Sequence, residues 1–188
     1  MRKGTPSGCV PFQCYHSEGD PTNMAKPGGA VKGKVQVGDQ APDFTLSTPS
    51  GEQVSLKDFL GKKSVVLYFY PADNTPGCTA EACAFRDSYE VFKEAGAEVI
   101  GVSTNSEASH QQFAAKHRLP FILLSDPQGV VRKRYGVPSA FGVLPGRVTY
   151  IIDQQGVVRQ VFIDQFHATK HVAEALKTLE ILRVEQQV

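Results

Sequence analysis

The chain has 188 residues, 41% apolar and 21% charged, with 20 Lys plus Arg against 19 Asp plus Glu for a formal net charge of +1. A chain of this size buries roughly 70% of its unfolded surface as one globular domain. The even charge argues against a nucleic-acid binder held by a basic stripe, and no apolar run approaches the ~20 residues of a membrane span. Four cysteines are too few for a disulfide scaffold and fit a reducing compartment in which one or two do chemistry.

Six of the 17 Gly and four of the 12 Pro fall in residues 1–34, which contain no Leu or Ile. That stretch cannot bury enough surface to offset its ordering entropy, so a flexible Gly/Pro-rich tail is expected, with the folded domain over 35–188. It lacks the apolar stretch of a secretory signal and matches an organelle transit segment poorly. Beyond it the apolar period switches repeatedly. Phe44–Leu46 and Gln53–Leu56 flank a Pro-Ser-Gly turn and read as a hairpin, and Lys57–Leu60 adds a helical turn. Ser64–Tyr70 is continuously apolar and rich in β-branched and aromatic residues, as a strand covered on both faces should be. Next come a helix from Pro76 to Ala95, a strand Glu98–Ser103, a helix Ser106–His117, a strand Phe121–Ser125 and a short helix over Gly129–Tyr135. Strands Arg147–Asp153 and Val157–Ile163 are joined by Gln-Gln-Gly, and Ala168–Arg183 closes the chain as an amphipathic helix. This order implies an α/β fold of thioredoxin-like type, a central mixed sheet with helices on both faces.

The segment richest in chemistry runs from Pro71 to Cys83, where the buried strand hands over to the long helix. Sites in open α/β sheets favour that position. Thr75 suits the N-cap and Pro76 the first helical position, which puts Cys78 third. There a sulfur meets the unpaired first-turn amides and the positive end of the helix dipole, and both favour the nucleophilic thiolate. Cys78, Ala82, Phe85, Tyr89 and Phe92 form one apolar stripe, whereas Cys83 is turned roughly 140° away. Residues five apart on a helix lie roughly 8–9 Å apart between Cα atoms. A disulfide needs less than about 7 Å, so pairing Cys78 with Cys83 demands that the helix start unwinds. On helix pattern alone, Cys83 reads equally well as a small half-buried residue. Arg147 opens the strand expected beside the one leading into Pro71, and its guanidinium could hold a thiolate and a developing oxyanion. Position alone favours a solvated strand-end arginine.

Pro71-x-x-x-Thr75-x-x-Cys78 resembles the active-site signature of the peroxiredoxins. Tyr68-Phe69-Tyr70-Pro71, Thr75-Pro-Gly-Cys-Thr, Ala84-Phe85-Arg86-Asp87 and Leu144-Pro-Gly-Arg147 are similar to the peroxiredoxin Q/bacterioferritin comigratory protein subfamily in its cyanobacterial and plastid form. The resemblance covers about residues 35–182 and not the tail. It implies thiol peroxidase chemistry and antioxidant defence with no cofactor and no metal. Cys78 resembles the peroxidatic cysteine that attacks a hydroperoxide and becomes a sulfenic acid. Thr75 would hydrogen-bond the peroxide, Arg147 would hold the thiolate and polarise the leaving oxygen, and Pro71 would shield the pocket from water. Tyr70 and Gly77 would line the substrate site. Cys83 matches the resolving cysteine, which would close an intramolecular disulfide for thioredoxin, or glutaredoxin, to reduce. The resemblance further suggests a monomer without nucleic-acid or membrane partners. It leaves the compartment between cytoplasm, the first expectation, and chloroplast stroma or thylakoid lumen.

Other features carry weaker signals. Cys9 and Cys14 have His16 nearby but no fourth ligand, and read as incidental tail residues. His167 and His171 read as a solvated pair four apart, and Arg132-Lys-Arg134 as a solvated helix face. Gly142–Gly146 lacks the Lys-Ser/Thr ending of a phosphate loop. Two rival functions remain. A disulfide reductase would use Cys-x-x-Cys where this chain has four residues between its cysteines, and a binding module on the same scaffold would leave Cys78 structural.

Overall fold

The expected hairpin forms: β1 (Thr45–Ser47) and β2 (Gln53–Ser55) pair antiparallel, followed by a 3-10 turn at Leu56–Asp58. In the computed structural model, which describes residues 34–140 and 144–185, the elements continue as β3 (Ser64–Phe69), α1 (Pro76–Asp87), α2 (Tyr89–Glu94), β4 (Ala97–Ser103), α3 (Glu107–His117), β5 (Ile122–Ser125) and α4 (Val130–Arg134). Then come β6 (Ser139–Ala140), β7 (Leu144–Pro145), β8 (Val148–Ile152), β9 (Val158–Ile163) and α5 (Lys170–Glu185). The tail, with Cys9, Cys14 and His16, lies outside the described residues apart from Lys34.

Seven strands make one mixed sheet in the order β2-β1-β5-β4-β3-β8-β9. The inner pairs β3/β4 and β4/β5 are parallel, joined by helical crossovers, while β3/β8 and β8/β9 are antiparallel. All six residues of β3 are buried, because both faces of the sheet are covered. Its period-2 alternation feeds two cores. Val65, Leu67 and Phe69 join one core with Val131 of α4. Val66 and Tyr68 join the other with Phe85, Phe92, Phe113 and Leu179 from α1, α2, α3 and α5. Each such side chain contributes on the order of 1.5–3 kcal/mol when fully buried. The helices thus flank both faces unequally, four on one side against α4 and the 3-10 turn on the other. The chain has the expected α/β, thioredoxin-like architecture.

Two differences from the sequence reading have local causes. The helix drawn from Pro76 to Ala95 is two helices, because Ser88 adopts φ −103° and ψ 5° and ends α1. The break leaves the apolar stripe nearly in phase: Cys78, Ala82, Phe85 and Phe92 are all buried. The two-stranded β6/β7 ribbon was not expected, since two-residue strands leave no periodicity to detect.

Candidate active site

The register of β3 on β8 builds the site. Phe69 pairs with Val148 across the antiparallel ladder, so the chain leaves β3 through Tyr70 and Pro71 just where Arg147 enters β8. Asn74 then turns the chain through a left-handed φ of 59°, a conformation Asn tolerates better than most residues. Thr75 follows at the N-cap with extended φ and ψ of −78° and 147°. Its hydroxyl does not cap the helix; it donates to the carbonyl oxygen of Ala72 at 3.2 Å. Pro76 occupies the first helical position and Cys78 the third, as expected. The first turn of α1 therefore carries no side-chain cap from Thr75.

Arg147 is 4% exposed, not the solvated strand-end residue that its position alone favours. Its Nη2 donates to Cys78 Sγ at 3.4 Å, and its Nη1 donates to Glu81 Oε2. Gly77 provides the space: a Cβ there would lie 3.2 Å from Arg147 Nη2. Cys78 is 1% exposed and Glu81 is fully buried. Burial pushes the Glu81 carboxyl up to about 8, opposed by the charge and hydrogen bond of Arg147. Glu81 Oε1 and Arg147 Nε find no hydrogen-bond partner among the described residues. Cys83 is half-buried, and both cysteines carry free thiols.

Of the residues singled out from sequence, Cys78, Arg147 and Gly77 meet directly, and Thr75 and Pro71 lie in the turn just before them. Tyr70 is 1% exposed, and its hydroxyl is spent on Asp73 Oδ1 at 2.7 Å. Cys83 stands apart on the other flank of α1.

Several site-building residues escaped the sequence reading. Glu81 sits three residues after Cys78, one helical turn along the same face, and that spacing was its only signal. His171 is not solvated: it is fully buried, and its Nε2 donates to the Asp164 carbonyl oxygen at 2.9 Å. Its Nδ1 accepts from Thr149 Oγ1 at 2.7 Å and lies 3.7 Å from Glu81 Oε1. Arg132 is not on a solvated face either. It is 8% exposed, and its guanidinium donates to the carbonyl oxygens of Tyr70, at 3.4 Å, and Gly146. Those two bonds stitch together the segments that deliver Pro71 and Arg147.

A guanidinium held between a helix-start thiol and a buried carboxyl can stabilise a thiolate and then the oxyanion released from it. The comparisons with known proteins agree with that chemistry. The AhpC/TSA family model matches residues 37–161. Peroxiredoxin Q, chloroplastic, of Triticum aestivum is 56% identical over 163 residues, covering 86% of this chain and 75% of the relative. Peroxidoxin BcpB of Mycobacterium tuberculosis superposes with a TM-score of 0.73 at 39% identity, over 78% of this chain and 97% of that one. The bacterioferritin comigratory protein of Xanthomonas campestris gives a TM-score of 0.69 at 31% identity, over 81% of this chain and 98% of that one. This chain belongs to the AhpC/TSA family, within its peroxiredoxin Q group, and is a thiol peroxidase.

Proposed function

We propose that the protein reduces hydrogen peroxide and organic hydroperoxides through Cys78, and that Cys83 resolves the product as an intramolecular disulfide. The observation that carries this reading is the buried Arg147 guanidinium 3.4 Å from a cysteine at the third position of a helix. The Cys78 thiolate attacks the distal peroxide oxygen, the O–O bond breaks, and the leaving alkoxide or hydroxide takes up a proton. Sulfur is thereby oxidised to a sulfenic acid. Thr75 hydrogen-bonds the peroxide, Arg147 holds first the thiolate and then the leaving oxygen, and Pro71 keeps water out. Tyr70 and Gly77 shape the wall and the space. The Cys83 thiolate then attacks the Cys78 sulfenic sulfur, water leaves, and a disulfide forms after the start of α1 unwinds. A dithiol of thioredoxin type returns both thiols and is itself oxidised. Alkyl peroxide reduction is attributed to the Xanthomonas relative, which supports organic hydroperoxides as substrates.

Cytoplasm, the first expectation for the compartment, gains nothing from the relatives, whereas the wheat protein is named chloroplastic. The plastid is the better reading, to be checked by locating the native protein with antibodies in fractionated cells. A monomer is retained as the working assembly, and light scattering of the purified protein tests it.

Peptide mass mapping of reduced protein after stoichiometric H2O2 tests the cycle. A Cys78–Cys83 link that thioredoxin reverses supports it. Oxidised Cys78 beside a free Cys83 thiol indicates a one-cysteine enzyme, and an unreacted Cys78 overturns the peroxidatic assignment.

A further inference from the structure

The loop that delivers Thr75 and Cys78 is tied to α3 by a buried polar cluster that the chemistry above leaves unused. The side chains of Asp73 and His110 are 1% and 0% exposed. Both ring nitrogens of His110 face acceptors. Nδ1 stands 3.1 and 3.0 Å from the two Asp73 carboxylate oxygens, and Nε2 stands 3.2 Å from the carbonyl oxygen of Leu124 on β5. A carbonyl oxygen only accepts, so Nε2 donates to Leu124, while Nδ1 faces the Asp73 carboxylate and, at 3.3 Å, the Tyr70 hydroxyl. Asp73 is suited to remain ionised. It accepts from the hydroxyls of Tyr70 at 2.7 Å and Ser109 at 2.6 Å. Burial raises its carboxyl, but the bonds from His110, Ser109 and Tyr70 together hold it below the usual carboxylate value.

The backbone is held as well. Asp73 N–H donates to Asn105 Oδ1 at 3.0 Å, and the Asn105 N–H in turn donates to Ser103 Oγ at 3.1 Å. Two further cations reach the same turn: Lys116 donates to Asn74 Oδ1 at 3.4 Å, and Arg132 to the Tyr70 carbonyl oxygen at 3.4 Å. Between these anchors Asn74 keeps its left-handed φ, a conformation that Asn adopts more readily than other non-glycine residues.

We propose that the Asp73–His110 pair is a clamp that sets the balance between two shapes of the 71–83 segment: the folded turn that presents Cys78 to Arg147, and the unwound one in which Cys78 reaches Cys83. Both are positioning residues acting through the loop. The inference rests on the two-cysteine reading above, because that reading is what requires the helix start to open. It assigns the clamp opposite effects on two successive steps. A tight clamp favours attack on peroxide and delays the disulfide, leaving the sulfenic acid longer exposed to a second peroxide.

The test compares Asp73→Asn and His110→Asn with the unaltered protein in three measurements. These are amide hydrogen exchange over residues 73–79 of the reduced form, the rate of Cys78 oxidation by H2O2, and the rate of disulfide appearance. Val54→Ala serves as a control, since Val54 lies buried on the edge strand β2 away from the clamp. Losing the clamp is expected to speed exchange by about 10-fold or more and to slow oxidation by about 10- to 100-fold, the size of effect that misplacing a reacting group has. It is also expected to speed disulfide formation, while Val54→Ala moves none of the three. If either variant does not fold, Ser109→Ala keeps the Asp73–His110 contact, removes one donor to Asp73, and is expected to shift all three in the same directions by less. Unchanged exchange and oxidation in folded variants would overturn the clamp, as would equal shifts in Val54→Ala. Should the unaltered protein form no Cys78–Cys83 link, the two-cysteine reading fails while hydrogen exchange still decides whether the clamp exists.

Discussion

Arg147 Nη2 stands 3.4 Å from Cys78 Sγ although 69 residues separate the two in sequence. The same guanidinium bonds Glu81 through Nη1, so its fork is filled at both ends, by the cysteine sulfur and by a buried carboxyl. Lysine offers one point charge on a flexible stem and cannot reproduce that two-sided geometry. Arg147→Lys is therefore expected to keep the fold and to lower the second-order rate with H2O2 by about 100-fold, the size of loss seen when one oxyanion donor is removed. Stopped-flow kinetics on the reduced protein checks it. A loss under about threefold would show that the fork geometry is not needed.

Gly77 separates stability from activity. In a helix, Ala is favoured over Gly by up to about 1 kcal/mol, so Gly77→Ala ought to leave the melting temperature unchanged or slightly higher. Its new Cβ would nevertheless stand 3.2 Å from Arg147 Nη2, tighter than an unstrained contact, and would push the guanidinium off the sulfur. We expect about a 10-fold loss of peroxide reactivity without loss of stability. A paired fall in both would mean that Gly77 serves the backbone instead.

These two residues also show what the sequence discloses. Strand β3, the hairpins and α5 were readable because each buries a face whose apolar period is fixed by its own geometry. Cys78 was readable because Thr75-Pro76 marks a helix start. The burial of Arg147 was not, because it depends on Glu81, a partner brought in from another element by the β3–β8 register. Arg132 misled for the same reason. A basic run on a short helix looks solvated until the carbonyl oxygens of Tyr70 and Gly146 are seen to converge on it. His171 was hidden likewise, its partners Thr149 and Asp164 lying on other segments that fold back over α5.

Glu81 makes the site sensitive to pH. Burial raises its carboxyl to about 8, so at neutral pH it holds a proton and leaves the full charge of Arg147 to the sulfur. Above about 8 the carboxylate ionises and claims that charge. Glu81→Gln keeps an acceptor for Arg147 Nη1 and removes the titration. The rate–pH profile of the unaltered enzyme should show an inflection near 8 that the variant lacks, with the variant faster on the alkaline side. An unchanged inflection in Glu81→Gln would assign it to another group.

Stability should respond to pH through the same cluster, with two opposed slopes. Burial lowers the His171 imidazole from its ordinary 6.5 to about 4. Between those values the unfolded chain binds a proton that the folded one refuses, so stability falls as pH drops from about 6.5 to 4, by up to roughly 3 kcal/mol. Glu81 does the reverse. Its folded value lies above the ordinary 4.5, so the unfolded chain releases a proton first and stability falls as pH rises from about 4.5 to 8. From about 4.5 to 6.5 the two slopes are equal and opposite, so together they leave a plateau there and a net fall between about 6.5 and 8. Urea unfolding at several pH values separates them. His171→Gln is expected to turn the plateau into a continuous fall from about 4.5 to 8, and Glu81→Gln to turn it into a continuous rise from about 4 to 6.5. Because the two side chains lie 3.7 Å apart, the double variant should fall short of the sum of the singles. Strict additivity would mean that they titrate independently and that His171 only fills space behind the site.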